Sequence, residues 1–269
     1  MAEIIPIDDP EDPRVAVYRQ VRERDLVGRQ GGFIAEGEVV LRVLLTGGGP
    51  HWAASLLIDG KRLEKLAPLI AALPEQTPVY VAGQPVLDAI AGFPIHRGIL
   101  AHGRRAPDPD VAALLAGVGE RALVLALHGV ANHDNMGGLF RNAAAFGVDA
   151  VLLDATSCDP LYRKAIRVSV GAALKLPFAR VAPGEDMLAL LEAAGFEVLA
   201  LSPGGAEPLT GLVRPPRAAL LLGAEGPGLP AEVLARTRTL SIPMAPGWDS
   251  LNVSSAAAIA LHELTRARG

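Results

Sequence analysis

The sequence has one cysteine, few aromatic residues and no long hydrophobic run, and each scarcity excludes a class of protein. Cys158 alone cannot form an intramolecular disulfide or a multi-cysteine zinc site. Aromatic residues make up 4% of the chain, which argues against an extended base-stacking platform. The longest apolar stretches, such as ALVLAL at 122–127, have the length of a strand and fall far short of the roughly 18 residues of a membrane span. The first residues are acidic, unlike a signal peptide. We therefore expect a cytoplasmic protein with no membrane partner and no metal.

Positive charge is also scarce. The chain has 25 Lys and Arg against 29 Asp and Glu, a net charge of −4 at pH 7. This balance excludes nucleic-acid binding by bulk electrostatics but allows a local basic patch. Five arginines and two acids lie between Arg14 and Arg29. An RNA-binding patch and a solvated helix face both explain this stretch, and the sequence leaves the two open.

What the sequence does have is a regular alternation of apolar runs and helical patterns, in two parts. Residues 1–13 read as an extended arm, 14–105 as a small α/β domain, 106–119 as a linker and 120–269 as a larger α/β domain. In the larger domain strands are predicted at 121–127, 149–154, 177–181, 196–201, 218–223 and 238–243. Helices are predicted at 137–147, 160–170, 185–194, 230–236 and 251–267. Continuous apolar strands alternating with helices predict a parallel sheet covered on both faces.

Three segments that follow predicted strands have unusual loop chemistry. HGVANHDNMGGLFRNAAAFG at 128–147 places polar residues and two glycines at the start of a helix. LLLGAEGPGLP at 220–230 has three glycines around Glu225 but lacks the Gly-Lys-Ser/Thr of a Walker loop. IPMAPGWDSLNVSSAAAIALHEL at 242–264 opens a helix for which Ser250 is a candidate N-cap. Each segment by itself is also compatible with an ordinary capped loop between a strand and a helix.

In this order and spacing the three segments resemble the SpoU (TrmH) family of the SPOUT superfamily of RNA ribose 2′-O-methyltransferases. Motif one is similar to Asn135-x-Gly137-x-x-x-Arg141, motif two to LGAEGPGL at 222–229, and motif three to IPM at 242–244 with SLNVS at 250–254. The first domain also resembles the family's F-x-x-EG substrate-binding domain through GGFIAEG at 31–37. The chain departs from the family at Asn132-His133, at Gly138 and in the position of the glycine in APGWD, which leaves the RNA target open.

The resemblance implies a fold and an assembly that composition cannot show. It implies a C-terminal parallel-sheet domain whose last segments form a trefoil knot, a feature very rare among proteins. It also implies a homodimer through the C-terminal domain, with motif one of one subunit reaching the cofactor of the other. The implied cofactor is S-adenosylmethionine and the implied substrate an RNA ribose 2′-hydroxyl. The F-x-x-EG domain favours ribosomal RNA over transfer RNA.

The resemblance also implies roles for individual residues. The implied catalytic residues are Asn135, Arg141, Glu225, Ser250 and Asn252. The implied cofactor-binding residues are Leu201, Ser202, Gly223, Gly228, Leu229, Ile242, Met244 and Leu251. The expected substrate-binding residues are Arg19, Arg22, Phe33, Glu36 and Arg141. An arginine is a poor general base, so we expect a phosphate or a water to accept the ribose proton, with Arg141 organising the acceptor.

Two other classes of protein fit parts of the sequence. A catalytically silent RNA-binding homologue is disfavoured because Asn135, Arg141, Glu225 and Asn252 are all present. A dinucleotide-dependent enzyme is disfavoured because no G-x-G-x-x-G follows the first strand. Structural roles are expected for Cys158 and for most histidines. The roles of His133 and Trp248, as catalytic base or base-stacking residue, stay open.

Overall fold

The computed structural model describes residues 2–19 and 31–266, and the chain divides into two compact units. Unit 1 consists of residues 1–106 together with 159–175, and unit 2 of residues 107–158 and 176–269. Among the described residues no helix is long and apolar enough to cross a bilayer.

The strands of the described residues form one sheet in each unit. Unit 1 contains β1 (Ile4–Pro6), β2 (Gly32–Glu36), β3 (Trp52–Asp59), β4 (Val79–Ala82) and β5 (Ile99–Arg104), in the order β1-β4-β3-β5-β2. Unit 2 contains β6 (Ala122–Leu127), β7 (Ala150–Leu153), β8 (Phe178–Arg180), β9 (Glu197–Leu201), β10 (Glu207–Pro208), β11 (Arg217–Leu222) and β12 (Arg238–Ser241). Their order is β10-β12-β9-β11-β6-β7-β8, and all their pairings are parallel. The predicted α/β class with a parallel sheet is confirmed.

The helices of the described residues alternate with these strands. They are α1 (Glu38–Thr46), α2 (Leu63–Ala71), α3 (Gln84–Ala91), α4 (Val111–Ala116), α5 (His133–Ala145), α6 (Arg163–Val168), α7 (Met187–Ala193), α8 (Ala231–Leu234) and α9 (Val253–Thr265). Every side chain of β6 is fully buried, as expected for a central strand covered on both faces. The order β12-β9-β11 brings the carboxyl ends of three strands together, the usual position of a ligand site in such sheets.

The N-terminal arm is part of the unit 1 sheet. β1 pairs in parallel with β4, and Ile7 next to it is buried in the core. A 3₁₀ helix at Pro13–Tyr18 follows, whereas the sequence pattern from Val15 to Val27 predicts one continuous arginine-rich helix. The rest of that predicted helix, including Arg22, lies outside the described residues.

The structure departs from the sequence-based division at two places, the predicted linker and residues 159–175. Residues 106–119 contain α4, whose Val111 and Leu115 belong to the core of unit 2, so this stretch is not a free linker. Residues 159–175 belong to unit 1, although the sequence places them inside the second domain. A side chain on Gly49 would lie 2.1 Å from the carbonyl oxygen of Leu174, so this contact requires glycine. Such packing between distant segments leaves no local pattern in the sequence.

Candidate active site

The loops after β9, β11 and β12 line one pocket of about 600 Å³ in unit 2. All eight residues expected to bind the cofactor lie on its wall: Leu201, Ser202, Gly223, Gly228, Leu229, Ile242, Met244 and Leu251. Three of the five expected catalytic residues, Glu225, Ser250 and Asn252, lie there as well. The structure therefore brings together three segments whose first residues lie about twenty positions apart in the sequence.

The glycine-rich loop after β11 folds back on itself. Ala224 and Gly228 form an antiparallel bridge, and Gly226 and Gly228 have φ angles of 85° and 70°. A Cβ on Gly223 would lie 2.5 Å from the carbonyl carbon of Gly228 and 2.6 Å from the amide nitrogen of Leu229. The tight backbone approach requires glycine at Gly223, and the positive φ angles favour it at the other two positions.

Asn252 joins the three motifs. Its side-chain oxygen accepts hydrogen bonds from the amides of Ser254 and Ser255 and so caps α9. Its Nδ2 donates to Asn135 Oδ1 at 2.9 Å and to Glu225 Oε1 at 3.0 Å. The N-cap of this helix is thus Asn252, and the candidate Ser250 was wrong in that role.

Asn135 lies in the first turn of α5. The side chain of Asn132 caps this helix by accepting from the amides of Asp134 and Asn135, and the Asn135 side chain is buried. Between α5 and α9, Asn142 Nδ2 donates a hydrogen bond to the carbonyl oxygen of Ser254 at 2.7 Å. A Cβ on Gly138 would lie 2.2 Å from Ser254 Oγ, so the close packing of α5 on α9 depends on this glycine.

Arg141 lies apart from the pocket. It is exposed on α5 and is absent from the pocket wall. Within the described part of the chain its guanidinium makes no hydrogen bond or ion pair. Within one subunit, Arg141 makes no hydrogen bond or ion pair with Glu225 or Asn252 among the described residues.

Three of the expected substrate-binding residues, Phe33, Glu36 and Arg19, make contacts within unit 1. The Phe33 ring is fully buried and contacts the His51 ring edge to face at 5.6 Å, so it cannot stack on a base. Glu36 is buried within 4.0 Å of two guanidinium groups, those of Arg163 and Arg167. Arg19 donates to Glu11 and to the carbonyls of Glu11 and Asp12, which ties its guanidinium to the N-terminal arm. Burial corrects the expectation that Phe33 and Glu36 meet RNA directly, whereas contact of Arg19 with RNA stays a prediction.

Several residues of the site were missed in the sequence analysis. Asp249 and Pro203 line the pocket, and Asn142 and Ser254 hold α5 against α9. Asp249 had a usable signal, since it is an acidic residue directly before Ser250. His133 opens α5 and Trp248 is exposed in the loop before Ser250, and neither lines the pocket. Within residues 2–19 and 31–266 no three His, Cys, Asp or Glu side chains converge as a metal site would require.

The chemistry of the pocket wall fits S-adenosylmethionine. Its charged residues are two acids, Glu225 and Asp249, and it contains no Lys or Arg. Carboxylates without competing cations favour a ligand that carries positive charge, as a sulfonium does. Leu201, Leu229 and Ile242 supply apolar surface for a flat ring, and the free backbone of the glycine loop supplies polar groups.

Comparisons with known proteins agree with this geometry. Residues 122–262 match the model of the SpoU rRNA Methylase family. The chain is 40% identical over 267 residues to an uncharacterized tRNA/rRNA methyltransferase of Mycobacterium bovis, covering 96% of this chain and 90% of the relative. It is 32% identical over 235 residues to the 23S rRNA (guanosine-2′-O-)-methyltransferase RlmB of Salmonella typhi, covering 85% of this chain and 96% of the relative.

A solved structure shares the fold. An AdoMet-bound rRNA methyltransferase from Sinorhizobium meliloti has a TM-score of 0.82, 24% sequence identity and 98% coverage of both chains. The motif match, the pocket chemistry and these relatives confirm the prediction from sequence. The chain belongs to the SpoU rRNA methylase family, and it is an RNA methyltransferase whose methyl donor is S-adenosylmethionine.

Proposed function

We propose that the protein methylates a ribose 2′-hydroxyl of ribosomal RNA. The observation that carries this proposal is the hydrogen-bonded junction of Asn135, Asn252 and Glu225 at the edge of the pocket. The RlmB relative, named for 2′-O-methylation of 23S rRNA, favours ribosomal RNA. The mycobacterial relative, named for both RNA classes, keeps transfer RNA as the alternative.

The residues of the pocket act mainly by positioning. S-adenosylmethionine, when bound, supplies an electrophilic methyl group. Leu201, Leu229 and Ile242 hold its adenine, and the carboxylates of Glu225 and Asp249 favour its positive charge. Alignment of donor and acceptor provides up to about 7–11 kcal/mol of barrier lowering in reactions of this kind.

Arg141 organises the acceptor nucleotide. A guanidinium stays protonated in proteins and is therefore a poor base, but it binds a phosphate and a hydroxyl oxygen together. In this proposal Arg141 holds the target nucleotide's phosphate and 2′-hydroxyl, and the proton passes to that phosphate or to a water. Ser250 and Asn252, on the pocket wall, orient the incoming ribose.

In this proposal Arg141 comes from a second copy of the chain. It is exposed on α5 and lies outside the pocket of its own subunit, which supports a homodimer formed through the C-terminal domain. In such a dimer α5 of one subunit brings Arg141 to the pocket of the other.

The same proposal assigns a role to each domain and a trefoil knot to the second domain. We assign RNA binding to residues 14–105, methyl transfer to residues 120–269, and the site of action to the cytoplasm. The convergence of segments 201–203, 222–229 and 242–253 on one pocket supports a trefoil knot at this end of the sheet. Stretching the unfolded chain from its ends tests the knot, because a knotted chain stops short of full contour length.

Nucleoside mass spectrometry decides the reaction and the target. Ribosomal and transfer RNA are isolated separately from a deletion strain and from the same strain carrying the wild-type gene. We expect one 2′-O-methylnucleoside to be missing from ribosomal RNA and restored by the gene. Loss of a mark from transfer RNA alone would overturn the ribosomal target, and identical RNA in both strains would overturn the proposed reaction.

A further inference from the structure

Segment 159–175 places positive charge on unit 1. It carries Arg163, Lys164, Arg167 and Lys175 against a single acid, Asp159, which is ion-paired to Arg105. Unit 1 as a whole has sixteen Lys and Arg against fourteen Asp and Glu, a net of +2. Unit 2 has nine against fifteen, a net of −6. The acidic character of the chain is therefore confined to unit 2.

Two cations of α6, Arg163 and Arg167, lie beside the turn at Glu36 and Gly37. Nη1 of Arg163 lies 3.6 Å and Nη1 of Arg167 lies 4.0 Å from Glu36 Oε2, and the two side chains are 28% and 45% exposed. The Arg163 guanidinium also lies 4.5 Å from the centroid of the Phe93 ring, which is itself 37% exposed. Glu36 Oε2 is buried and accepts no hydrogen bond within the described residues, so it attracts the two guanidinium groups by charge alone and leaves each partly open to solvent.

Arg97 extends the same surface. It is exposed, and its side chain crosses Gly37, where a Cβ would lie 2.8 Å from Arg97 Cδ. With a φ of 94°, Gly37 both makes the turn and leaves room for this arginine. Arg97, Arg163 and Arg167, with the exposed edge of Phe93, form what we call the Glu36 surface. It has three cations and one buried carboxylate.

We propose that the Glu36 surface binds the sugar-phosphate backbone of the RNA substrate, an inference that rests on the proposed function. A guanidinium binds a phosphate through two parallel N–H donors, and the negative charge of Glu36 draws two guanidinium groups to one turn of the chain before RNA binds. Phe93 offers an aromatic edge for an adjacent base. Two of the groups that hold RNA thus come from α6, a segment inserted from the second half of the sequence, and the role of Glu36 is to position arginines.

A salt titration tests the proposal. The full-length protein binds deproteinised ribosomal RNA at a series of salt concentrations between about 50 and 200 mM. Each phosphate contact contributes about 0.7 to the slope of log affinity against log salt for single strands and about 0.9 for duplexes. The double variant Arg97→Ala with Arg167→Ala should therefore lose about 1.4 to 1.8 from the slope. Arg163 is left in place because its loss would weaken the pairing of the buried Glu36.

Two controls separate charge from folding. Arg97→Lys with Arg167→Lys keeps both charges and should keep most of the slope. Arg121→Ala with Arg236→Ala removes two exposed arginines of unit 2, of which Arg236 is ion-paired and 46% exposed, much like Arg167. This pair should leave the slope unchanged. Thermal unfolding and S-adenosylmethionine affinity establish that all variants are folded.

The outcomes are distinct from those of the proposed function. A wild-type slope in the Arg97→Ala, Arg167→Ala variant would overturn the Glu36 surface, even if the wild type methylates the RNA. Displacement of the RNA by poly-L-glutamate at equal charge concentration would overturn it in favour of an acidic protein partner. Failure of the wild type to bind RNA would overturn it as well. Failure to transfer methyl groups to RNA that it does bind would overturn only the proposed function.

Discussion

The side-chain amide of Asn252 donates a hydrogen bond to Asn135 Oδ1 at 2.9 Å, across 117 positions of sequence. The same nitrogen donates to Glu225 Oε1, and the other end of the amide caps α9. An amide is the side chain that can do both, because it carries a donor and an acceptor on one rigid plane. One residue thus fixes the start of α9, the buried asparagine of α5 and the carboxylate of the glycine loop.

The variant Asn252→Asp separates the capping of α9 from the donation of hydrogen bonds to Asn135 and Glu225. The carboxylate still caps α9, but it faces Asn135 Oδ1 and Glu225 Oε1 with an acceptor in place of a donor. A hydrogen bond to a charged group contributes about 1.5–3 kcal/mol, so we expect S-adenosylmethionine to bind about 10- to 100-fold more weakly by calorimetry. Asn132→Asp is the matched control, since Asn132 caps α5 and lies outside the junction. Equal affinities in the two variants would contradict the bridging role.

A methyl group at Gly223 should close the pocket. Gly223→Ala would place Cβ within 2.6 Å of backbone atoms of Gly228 and Leu229, which cannot move aside as a flexible side chain could. Overpacking of this kind costs about 1–3 kcal/mol, and the loop should shift into the pocket. We expect at least about tenfold weaker S-adenosylmethionine binding. Gly119→Ala, with no atom near its Cβ, should bind normally. Normal S-adenosylmethionine binding by Gly223→Ala would contradict this prediction, because it would show that the loop accommodates the methyl group.

Arg141→Ala should separate chemistry from cofactor binding. Because Arg141 is assigned to the phosphate and 2′-hydroxyl of the acceptor nucleotide and not to the cofactor, S-adenosylmethionine affinity should be unchanged. The turnover rate should fall about 100-fold or more, the usual loss for a charged donor that acts on the reacting groups. Single-turnover methyl transfer to RNA measures the rate. A parallel loss of cofactor affinity would place Arg141 in the cofactor site instead.

Subunit mixing tests the shared site. An Arg141→Ala subunit keeps Asn252, and an Asn252→Ala subunit keeps Arg141. In a mixed dimer one of the two sites has both residues, so co-expressed chains should recover activity that neither variant has alone. Absence of recovery in dimers shown to contain both chains would place the whole site within one subunit.

His102 should make the stability of the protein sensitive to acid. Burial, with a contribution from the nearby Arg104, lowers the pKa of this imidazole from 6.5 to about 4. The unfolded chain takes up the proton as the pH falls through 6.5, whereas the folded chain takes it up only near pH 4. Stability is therefore full above pH 6.5 and is lost between 6.5 and 4, by about 3 kcal/mol in all.

Urea unfolding of His102→Gln measures this contribution. Between about pH 7 and about pH 5 the wild type should lose about 2 kcal/mol more than the variant, because glutamine does not titrate. Carboxylates such as Asp154 and Glu38 contribute equally to both proteins and cancel in the difference. The same pH dependence in both proteins would contradict the assignment to His102.

The sequence by itself determined the local structure of this protein and the chemistry of its loops. Continuous apolar runs such as 122–127 mark the buried parallel strands, since a strand covered on both faces needs apolar side chains at every position. The glycines at 223, 226 and 228 mark the folded loop because their backbone conformations and close contacts exclude other residues. These are short-range requirements, and a local pattern records them.

Only the tertiary structure decided which residues meet. It assigned the α9 cap to Asn252 because its amide finds partners on two distant segments, and it buried Phe33 and Glu36 within unit 1. It placed residues 159–175 in unit 1, and it left Arg141 exposed on α5 and off the wall of the pocket of its own chain. Contacts of this kind depend on the relative placement of elements far apart in sequence, and no periodicity or spacing along the chain encodes that placement.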